Sequence, residues 1–168
     1  MIGVTGSAWL MSSGRIRRVV SLFVLLKLVH VLAVVTAVGA NVTYAFWLRQ
    51  AGRDRDRLVY TIGGIRRLDR TIANPSYIVV LVTGLAMVWT GAYSLETGWI
   101  AVSIGLYVLV ALLGILAFAP AIRRQLAEAE RDPSSSAYAS AARRTALLGV
   151  LTTAAVLVIV VLMVTKPF

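Results

Sequence analysis

The sequence lacks cysteine, has one histidine, and carries few charged residues for its length. Without cysteine, the chain can form neither disulfides nor thiolate metal sites, and it has no cysteine nucleophile. Charged residues make up 14% of the 168 residues, hydrophobic residues make up 59%, and the mean hydropathy is +0.84. Soluble domains carry about 25% charged residues. The composition therefore predicts a membrane protein.

Long apolar runs predict four transmembrane helices. A helix needs about 20 apolar residues to cross the hydrocarbon layer, and backbone polar groups in lipid must be satisfied within the segment. We therefore predict an all-α, polytopic membrane protein with a four-transmembrane-helix bundle. Residues 1–18 are predicted as an N-terminal extension and residues 19–168 as a single domain. The predicted spans are about 19–48, 75–93, 99–119 and 145–165.

The net charge of +10 comes mainly from arginines between the predicted spans. Twelve arginines fall in the first and third loops, and four basic residues fall on the other side of the membrane. Since positively charged loops remain in the cytoplasm, we predict a protein of the cell (inner or plasma) membrane with cytoplasmic basic loops and both termini outside. No aromatic-basic module accompanies the charge, so we predict no nucleic-acid partner.

The segment 56–72 of the first loop has apolar residues at helical spacing with arginines between them. This pattern is typical of an amphipathic helix, which either lies in the headgroup layer or packs under the bundle. We expect the glycine pair Gly63-Gly64 to interrupt it. The sequence leaves both arrangements open.

The first span places a polar stripe on one face. At 100° per residue, its members fall within about a third of the circumference, as in a helix that presents a seam to a neighbour. Small residues Thr36, Gly39 and Thr43 form a second stripe on the opposite side, which is suited to close helix contact. The first helix is therefore predicted to be central. The polar stripe comprises Lys27, His30, Val34, Ala37, Asn41 and Tyr44.

Depth separates the two ionisable groups of this stripe. Counting back from Trp47 puts Lys27 near the outer boundary, where its ammonium reaches the headgroups or pairs with an anion or Glu96. His30 lies one turn deeper, and it either hydrogen-bonds to another helix or binds haem iron or a quinone carbonyl. With a single histidine, a six-coordinate haem would also need a methionine. The candidates for that second ligand are Met87 and Met163.

Two stretches resemble a known family. LLKLVHVLAVVTAVGANVTYAFWLR resembles the opening helix of a family of small bacterial predicted integral membrane proteins of unknown function, and RRLDRTIANPSYIVVLVTGLAMV resembles its second helix. That family is distantly similar to the copper-resistance D-like superfamily, which includes membrane protoporphyrinogen oxidases that bind haem b. The resemblance implies a four-helix bundle with His30 on the functional face.

No nucleophile-base pair, paired carboxylates or phosphate loop occurs in the sequence, which favours a non-enzymatic protein. The leading interpretation is an accessory, assembly or interaction module that contacts the lipid bilayer and forms a homo-oligomer or a larger membrane complex. The alternative is a redox protein that binds haem b or a quinone. Its cofactor residues would be His30, Lys27, Asn41, Tyr44 and Met87, with His30 as the iron ligand. Copper-related transport is a weaker alternative.

Overall fold

The computed structural model describes residues 6–91 and 93–167, and it describes side chains from Leu22 onward. Six α-helices follow one another along the chain, and short π-helical turns join two pairs of them into longer continuous helices. The α-helices are α1 (Gly6–Ala51), α2 (Arg55–Leu68), α3 (Asn74–Trp89), α4 (Gly98–Leu113), α5 (Ala119–Arg131) and α6 (Ser136–Thr165), and the π turns are Asp69–Ala73 and Gly114–Phe118.

The helices form two long antiparallel hairpins. In the first hairpin α1 packs along α2 and α3, and in the second α6 packs along α4 and α5. Asp54 begins α2 by accepting a hydrogen bond from the Arg57 N–H at 2.9 Å, and Ser135 begins α6 by accepting one from the Tyr138 N–H at 3.1 Å. Such caps satisfy amide groups that the first helical turn leaves unpaired. We call the end with these two tight turns the basic end.

A proline explains each π turn. Pro75 and Pro120 stand at the second residue of α3 and α5, directly after the wide turns. Proline has no N–H to donate, and its ring clashes with the carbonyl four residues earlier. The helix widens instead, so that the Asn74 N–H bonds to the Asp69 carbonyl and the Ala119 N–H bonds to the Gly114 carbonyl. The chain thereby stays helical from Arg55 to Trp89 and from Gly98 to Arg131.

The helices extend further than the predicted spans. Residues 1–5 of the predicted N-terminal extension lie outside the described residues, but the backbone is helical from Gly6 onward. Helix α6 begins at Ser136, well before residue 145. The glycine pair Gly63-Gly64 does not interrupt α2, contrary to our expectation, because neighbouring helices hold the segment in place. Hydropathy marks only the portion of a helix that suits lipid, and it does not mark where the helix ends.

The most tightly packed part of the molecule lies at the basic end. Leu58, Ile62 and Ile65 of α2 are only 1%, 0% and 4% exposed. They pack against the end of α1 and against Ile122 and Ala129 of α5. The apolar face of α2 is therefore covered by protein and not by lipid headgroups. Of the two arrangements that the sequence left open, the structure has the one in which this helix packs under the bundle.

The transmembrane half is packed much more loosely. Each of the four long helices exposes many large apolar side chains, such as Val35, Val82, Leu116 and Val164. Among the described residues, no Cα atom of α3 comes within 8 Å of α4, and the hairpins meet mainly through α2 with α5 and α1 with α6. These four helices are long and apolar enough to cross a membrane, where exposed apolar side chains contact lipid.

At the end opposite the basic end, aromatic side chains connect the hairpins. Tyr93 contacts Phe23 of α1 and Trp99 of α4, with ring centroids 5.9 and 5.6 Å apart. Lys166, just after α6, lies 5.0 Å from the centre of the Tyr93 ring and donates a hydrogen bond of 3.3 Å to its hydroxyl. Aromatic rings and lysines are typical of the level of the lipid headgroups.

Candidate ligand site and buried polar network

The polar stripe of α1 faces the interior of the bundle along most of its length. His30, Ala37 and Tyr44 are 6%, 0% and 7% exposed, whereas Val34 and Asn41 are half-buried. Lys27 is exposed. The main partner of this face is α3, which runs antiparallel to α1. The second stripe, Thr36, Gly39 and Thr43, is exposed and has no covering helix within the described chain.

The imidazole of His30 makes one hydrogen bond, to Thr83 of α3. The distance from His30 Nδ1 to Thr83 Oγ is 2.9 Å. The Thr83 hydroxyl donates its only proton to the Val79 carbonyl at 2.6 Å, so its oxygen is the acceptor for His30. We therefore assign the ring proton to Nδ1 on the basis of this hydrogen-bond network.

This tautomer leaves a lone pair on Nε2 of His30. The atom is buried and has no hydrogen-bond partner among the described residues. An unpaired buried polar group costs about 1–3 kcal/mol. It is also the arrangement found in metal-binding histidines, in which one ring nitrogen donates to a neighbouring group and the other binds the metal. The site can thus supply one nitrogen ligand or one hydrogen-bond acceptor.

The backbone of α3 approaches the imidazole closely at Gly84. A Cβ atom built on this glycine would lie 3.4 Å from His30 Cε1, in van der Waals contact with the ring. Thr83 and Gly84 form the Thr-Gly pair of the second stretch that resembles the known family. The histidine of the first stretch therefore contacts the Thr-Gly pair of the second stretch directly.

Met87 lies one turn from Thr83 on the same face of α3 and is 7% exposed. Met163 of α6 is half-buried. Lys27 and Glu96 are both exposed, and no ion pair within 4.0 Å joins them in the described part of the chain. The described residues also contain no group of three or more histidine, cysteine or acidic residues placed to hold a metal ion.

Asn41 and Tyr44 lie far from His30 along the same helix. At 1.5 Å per residue, the separations are about 16 and 21 Å. Tyr44 belongs instead to a second polar site, where its hydroxyl donates to Asp69 Oδ1 at 2.7 Å. Asp69 opens the first π turn. The structure therefore divides the five predicted cofactor residues between two regions and leaves Lys27 on the exposed surface.

The second site continues from α1 across α3 to α4. Asn41 Nδ2 donates to the Tyr77 hydroxyl at 2.6 Å, and the Tyr107 hydroxyl donates to the Tyr77 carbonyl at 2.9 Å. Tyr107 thus spans the gap between α3 and α4. Together with Tyr44 and Asp69, these residues form what we call the junction network, which joins the two hairpins where the basic end meets the transmembrane half.

Several residues of these sites were missed at the level of the sequence. Neither Thr83 nor Asp69 was among the predicted site residues. A pattern for Asp69 was nevertheless present, because it follows Leu58, Ile62 and Ile65 at helical spacing and so lies on their apolar face. No comparable pattern identifies Thr83 as the partner of His30, since the contact joins residues that are 53 positions apart.

Four long apolar helices with lipid-facing flanks define a polytopic integral membrane protein of the helical-bundle class. The chain belongs to the family described as "Predicted integral membrane protein (DUF2269)", whose model matches residues 24–167. This match confirms the predicted membership in a family of integral membrane proteins of unknown function. It does not extend to the copper-resistance D-like superfamily, and that wider similarity remains a prediction.

No curated protein and no solved structure matches the chain. The family description assigns a membrane location and no specific activity. Functional inference therefore rests on the residues of the two polar sites and on the exposed surfaces of the helices.

Proposed function

We propose that this protein holds a ligand within the membrane through His30, and that haem b is the first ligand to test. The observation that carries the proposal is the buried Nε2 lone pair, which has no partner in the described chain while Nδ1 is fixed by Thr83. A histidine so oriented is ready to bind iron without first breaking a hydrogen bond.

The residues present fit one axial ligand of a haem iron, and a thioether is available for the other. Haem b would supply one-electron transfer at its iron. His30 would bind the iron through Nε2, Thr83 would hold the ring orientation, and Met87 is the thioether on the same face of α3. Lys27 would face a propionate from the exposed boundary. Asn41 and Tyr44, about 16 Å or more away, would not touch the same ligand.

Other ligands could use the same nitrogen. A quinol would donate its hydroxyl to Nε2 and so satisfy the buried acceptor. Copper(I) prefers imidazole and thioether donors, which His30 and Met87 carry. The shared requirement is one nitrogen lone pair, so the three ligands must be distinguished by their own properties.

The test is an absorption spectrum of protein purified in mild detergent from haem-sufficient cells, recorded oxidised and then reduced with dithionite. We expect a Soret band that is lost in His30→Ala and retained in the control Asn41→Ala. A colourless wild-type preparation would overturn the haem assignment. Metal analysis and solvent extraction of the same preparation then report bound copper or quinone, and finding neither would overturn ligand binding at His30 altogether.

A second candidate function is that of an interaction module, and a specific observation favours it. The stripe of Thr36, Gly39 and Thr43 is exposed in the membrane half, although small residues of this kind usually let helices approach closely. As the chain has no cysteine, Gly39→Cys provides a clean cross-linking probe. A disulfide-linked dimer in membranes, absent for Val82→Cys on the exposed face of α3, supports self-association through α1. Equal cross-linking of both variants would contradict it.

We further propose that the basic end faces the cytoplasm of a bacterial inner membrane and that both termini lie outside. The arginines of the first and third loops support this orientation. A cysteine at Ser134, in the turn before α6, should resist a membrane-impermeant thiol reagent in intact cells and react after the cells are lysed. Ready labelling in intact cells would reverse the orientation.

A further inference from the structure

The arginines of the basic end fall into two groups at different levels of the bundle. Three contacts align the helices across the structure: Tyr44 with Asp69, Arg55 with the Glu130 carbonyl, and Phe118 with Gly149. Because each residue advances a helix by about 1.5 Å, these contacts fix the height of every arginine in the described helices. One group lies beside the junction network, and the other lies at the two turns.

We call the first group the arginine belt. It lies on α2, the first π turn, α5 and α6, within about two helical turns of the level at which the apolar segments end. Six of its seven side chains are exposed, and Arg66 is half-buried. The belt comprises Arg66, Arg67, Arg70, Arg123, Arg124, Arg143 and Arg144.

The belt has almost no acidic counterpart. Among the described residues, the only carboxylate at its level is that of Asp69, which accepts the hydrogen bond from Tyr44. Seven arginines against one aspartate give a formal net charge of +6. Only one ion pair within 4.0 Å occurs among the described residues, between Arg131 and Glu128, and it does not involve the belt.

The second group, at the turns, has as many carboxylates as arginines, and several of its charged side chains have structural contacts. Asp54 caps α2, Arg55 donates to the Glu130 carbonyl, and Asp132 accepts from the Ser134 N–H. Five arginines against five acids give a formal net charge of 0. These residues are Arg49, Arg53, Arg55, Arg57, Arg131, Asp54, Asp56, Glu128, Glu130 and Asp132.

The level of the belt corresponds to the headgroup layer. The apolar part of α3 ends at Trp89, and about 20 residues, or about 30 Å, back along the helix is the position of Arg70. From Arg70 toward the two turns, headgroups occupy roughly the next 5–8 Å, because the whole bilayer is about 40–45 Å thick. Long arginine side chains reach the whole of this layer from the belt positions.

We propose that the arginine belt binds the phosphate groups of anionic phospholipids around the bundle. A guanidinium donates two parallel hydrogen bonds to phosphate oxygens, which lysine cannot reproduce. The excess charge coincides with headgroup depth, whereas the turns beyond it are nearly neutral. A soluble acidic partner would bind at the turns, the part furthest from the membrane, and the excess positive charge would then have to lie there.

The experiment compares two variants matched in number and charge. The belt variant is Arg67→Gln/Arg124→Gln/Arg144→Gln, and the turn variant is Arg53→Gln/Arg57→Gln/Arg131→Gln. All six side chains are exposed, so neither variant removes core packing. Native mass spectrometry of the protein in detergent, titrated with phosphatidylglycerol or with phosphatidylcholine, reports the lipids bound.

We expect wild type and the turn variant to bind phosphatidylglycerol in preference to phosphatidylcholine. The belt variant should lose that preference, with affinity reduced about fivefold for each arginine removed, and added salt should weaken the wild type likewise. Replacing the same three arginines by lysine, which keeps the charge, should retain the preference for phosphatidylglycerol and so separates loss of charge from loss of folding. Equal phosphatidylglycerol binding by the belt and turn variants would overturn the proposal.

Discussion

The basic end and the transmembrane half are stabilised in different ways. At the basic end, Leu58 and Ile62 are almost completely enclosed by protein, whereas Val35 and Trp89 of the membrane half are 64% and 92% exposed. Water surrounds the first region, so apolar side chains there gain free energy only by contacting other side chains. Lipid surrounds the second, where an apolar side chain gains little by leaving it. The hydrophobic core of this membrane protein therefore lies mainly outside the membrane-spanning region.

The polar contacts of the two regions differ in how completely each buried polar group is satisfied. The hydroxyl of Tyr44 satisfies the charged group of Asp69, whereas Thr83 satisfies one nitrogen of the His30 ring and the other is left unpaired. The first contact holds helices together, and the second orients a group that has free binding capacity. Stability and ligand binding are thus expected to depend on opposite halves of the molecule.

The largest effect is expected for Ile62→Ala at the basic end. Ile62 is 0% exposed, and a buried isoleucine replaced by alanine costs about 2–5 kcal/mol of unfolding free energy. Thermal or denaturant unfolding in detergent measures the change. Ile78→Ala, at a side chain that is 63% exposed in the membrane half, is the matched control and should unfold almost as the wild type does. Equal loss in both variants would contradict the division into two regions.

A smaller loss is expected for Tyr44→Phe. Removing the hydroxyl leaves the Asp69 carboxylate without its donor, at a cost of about 1–3 kcal/mol. Tyr60→Phe, at a tyrosine that is 85% exposed, should not change unfolding. Adding Asp69→Asn to Tyr44→Phe should recover part of the loss, because a neutral amide is less costly to bury. If Tyr44→Phe unfolds at the same midpoint as the wild type, the junction network does not stabilise the fold.

For Thr83→Val the effect on stability should be smaller still, about 0.6 kcal/mol, as is typical of hydrogen bonds between membrane helices. The effect on a ligand at His30 should be much larger, because loss of an orienting partner usually costs about 10–100-fold in metal affinity. Unfolding and ligand retention are measured on the same preparation. Thr36→Val, on the exposed face of α1, should alter neither property. Large destabilisation without loss of ligand would make the His30–Thr83 contact purely structural.

The smallest effect is expected for Arg131→Ala. Its side chain is 78% exposed and lies 3.9 Å from Glu128, and ion pairs of this kind contribute about 0–0.5 kcal/mol. Unfolding in detergent should therefore match the wild type within error, at low salt and at high salt. A clear loss at low salt alone would show that the turn beyond α5 depends on this pair.

Much of the fold could be predicted from the apolar runs and helical spacing. The four spans, the inward face of α1 and the burial of Leu58, Ile62 and Ile65 all have local signatures. The continuation of helices through Pro75 and Pro120 could not be predicted in this way, because proline usually marks a helix start or break. A π turn resolves that conflict, because the N–H before each proline bonds to the carbonyl five residues earlier.

Only part of the candidate site could be predicted from the sequence. His30 stands out in the sequence as the one histidine in an apolar helix, but its partner could have been any polar residue of three other spans. Tyr44 was predicted as a cofactor residue together with His30, although the helical rise separates the two by about 21 Å. The acceptor that Tyr44 meets, Asp69, lies among arginines in the sequence, and only its helical spacing places it on the apolar face of α2.

By itself, the sequence determined the class of protein, its four membrane-spanning segments and the inward face of its first helix. These properties depend on composition and on periodicity within one helix, which are local. Only the tertiary structure decided that His30 meets Thr83 and Gly84, that Tyr44 meets Asp69, and that seven arginines of three helical segments share one level. Such contacts depend on the register between helices, where a shift of one residue rotates every side chain by about 100°, and no local pattern encodes that register.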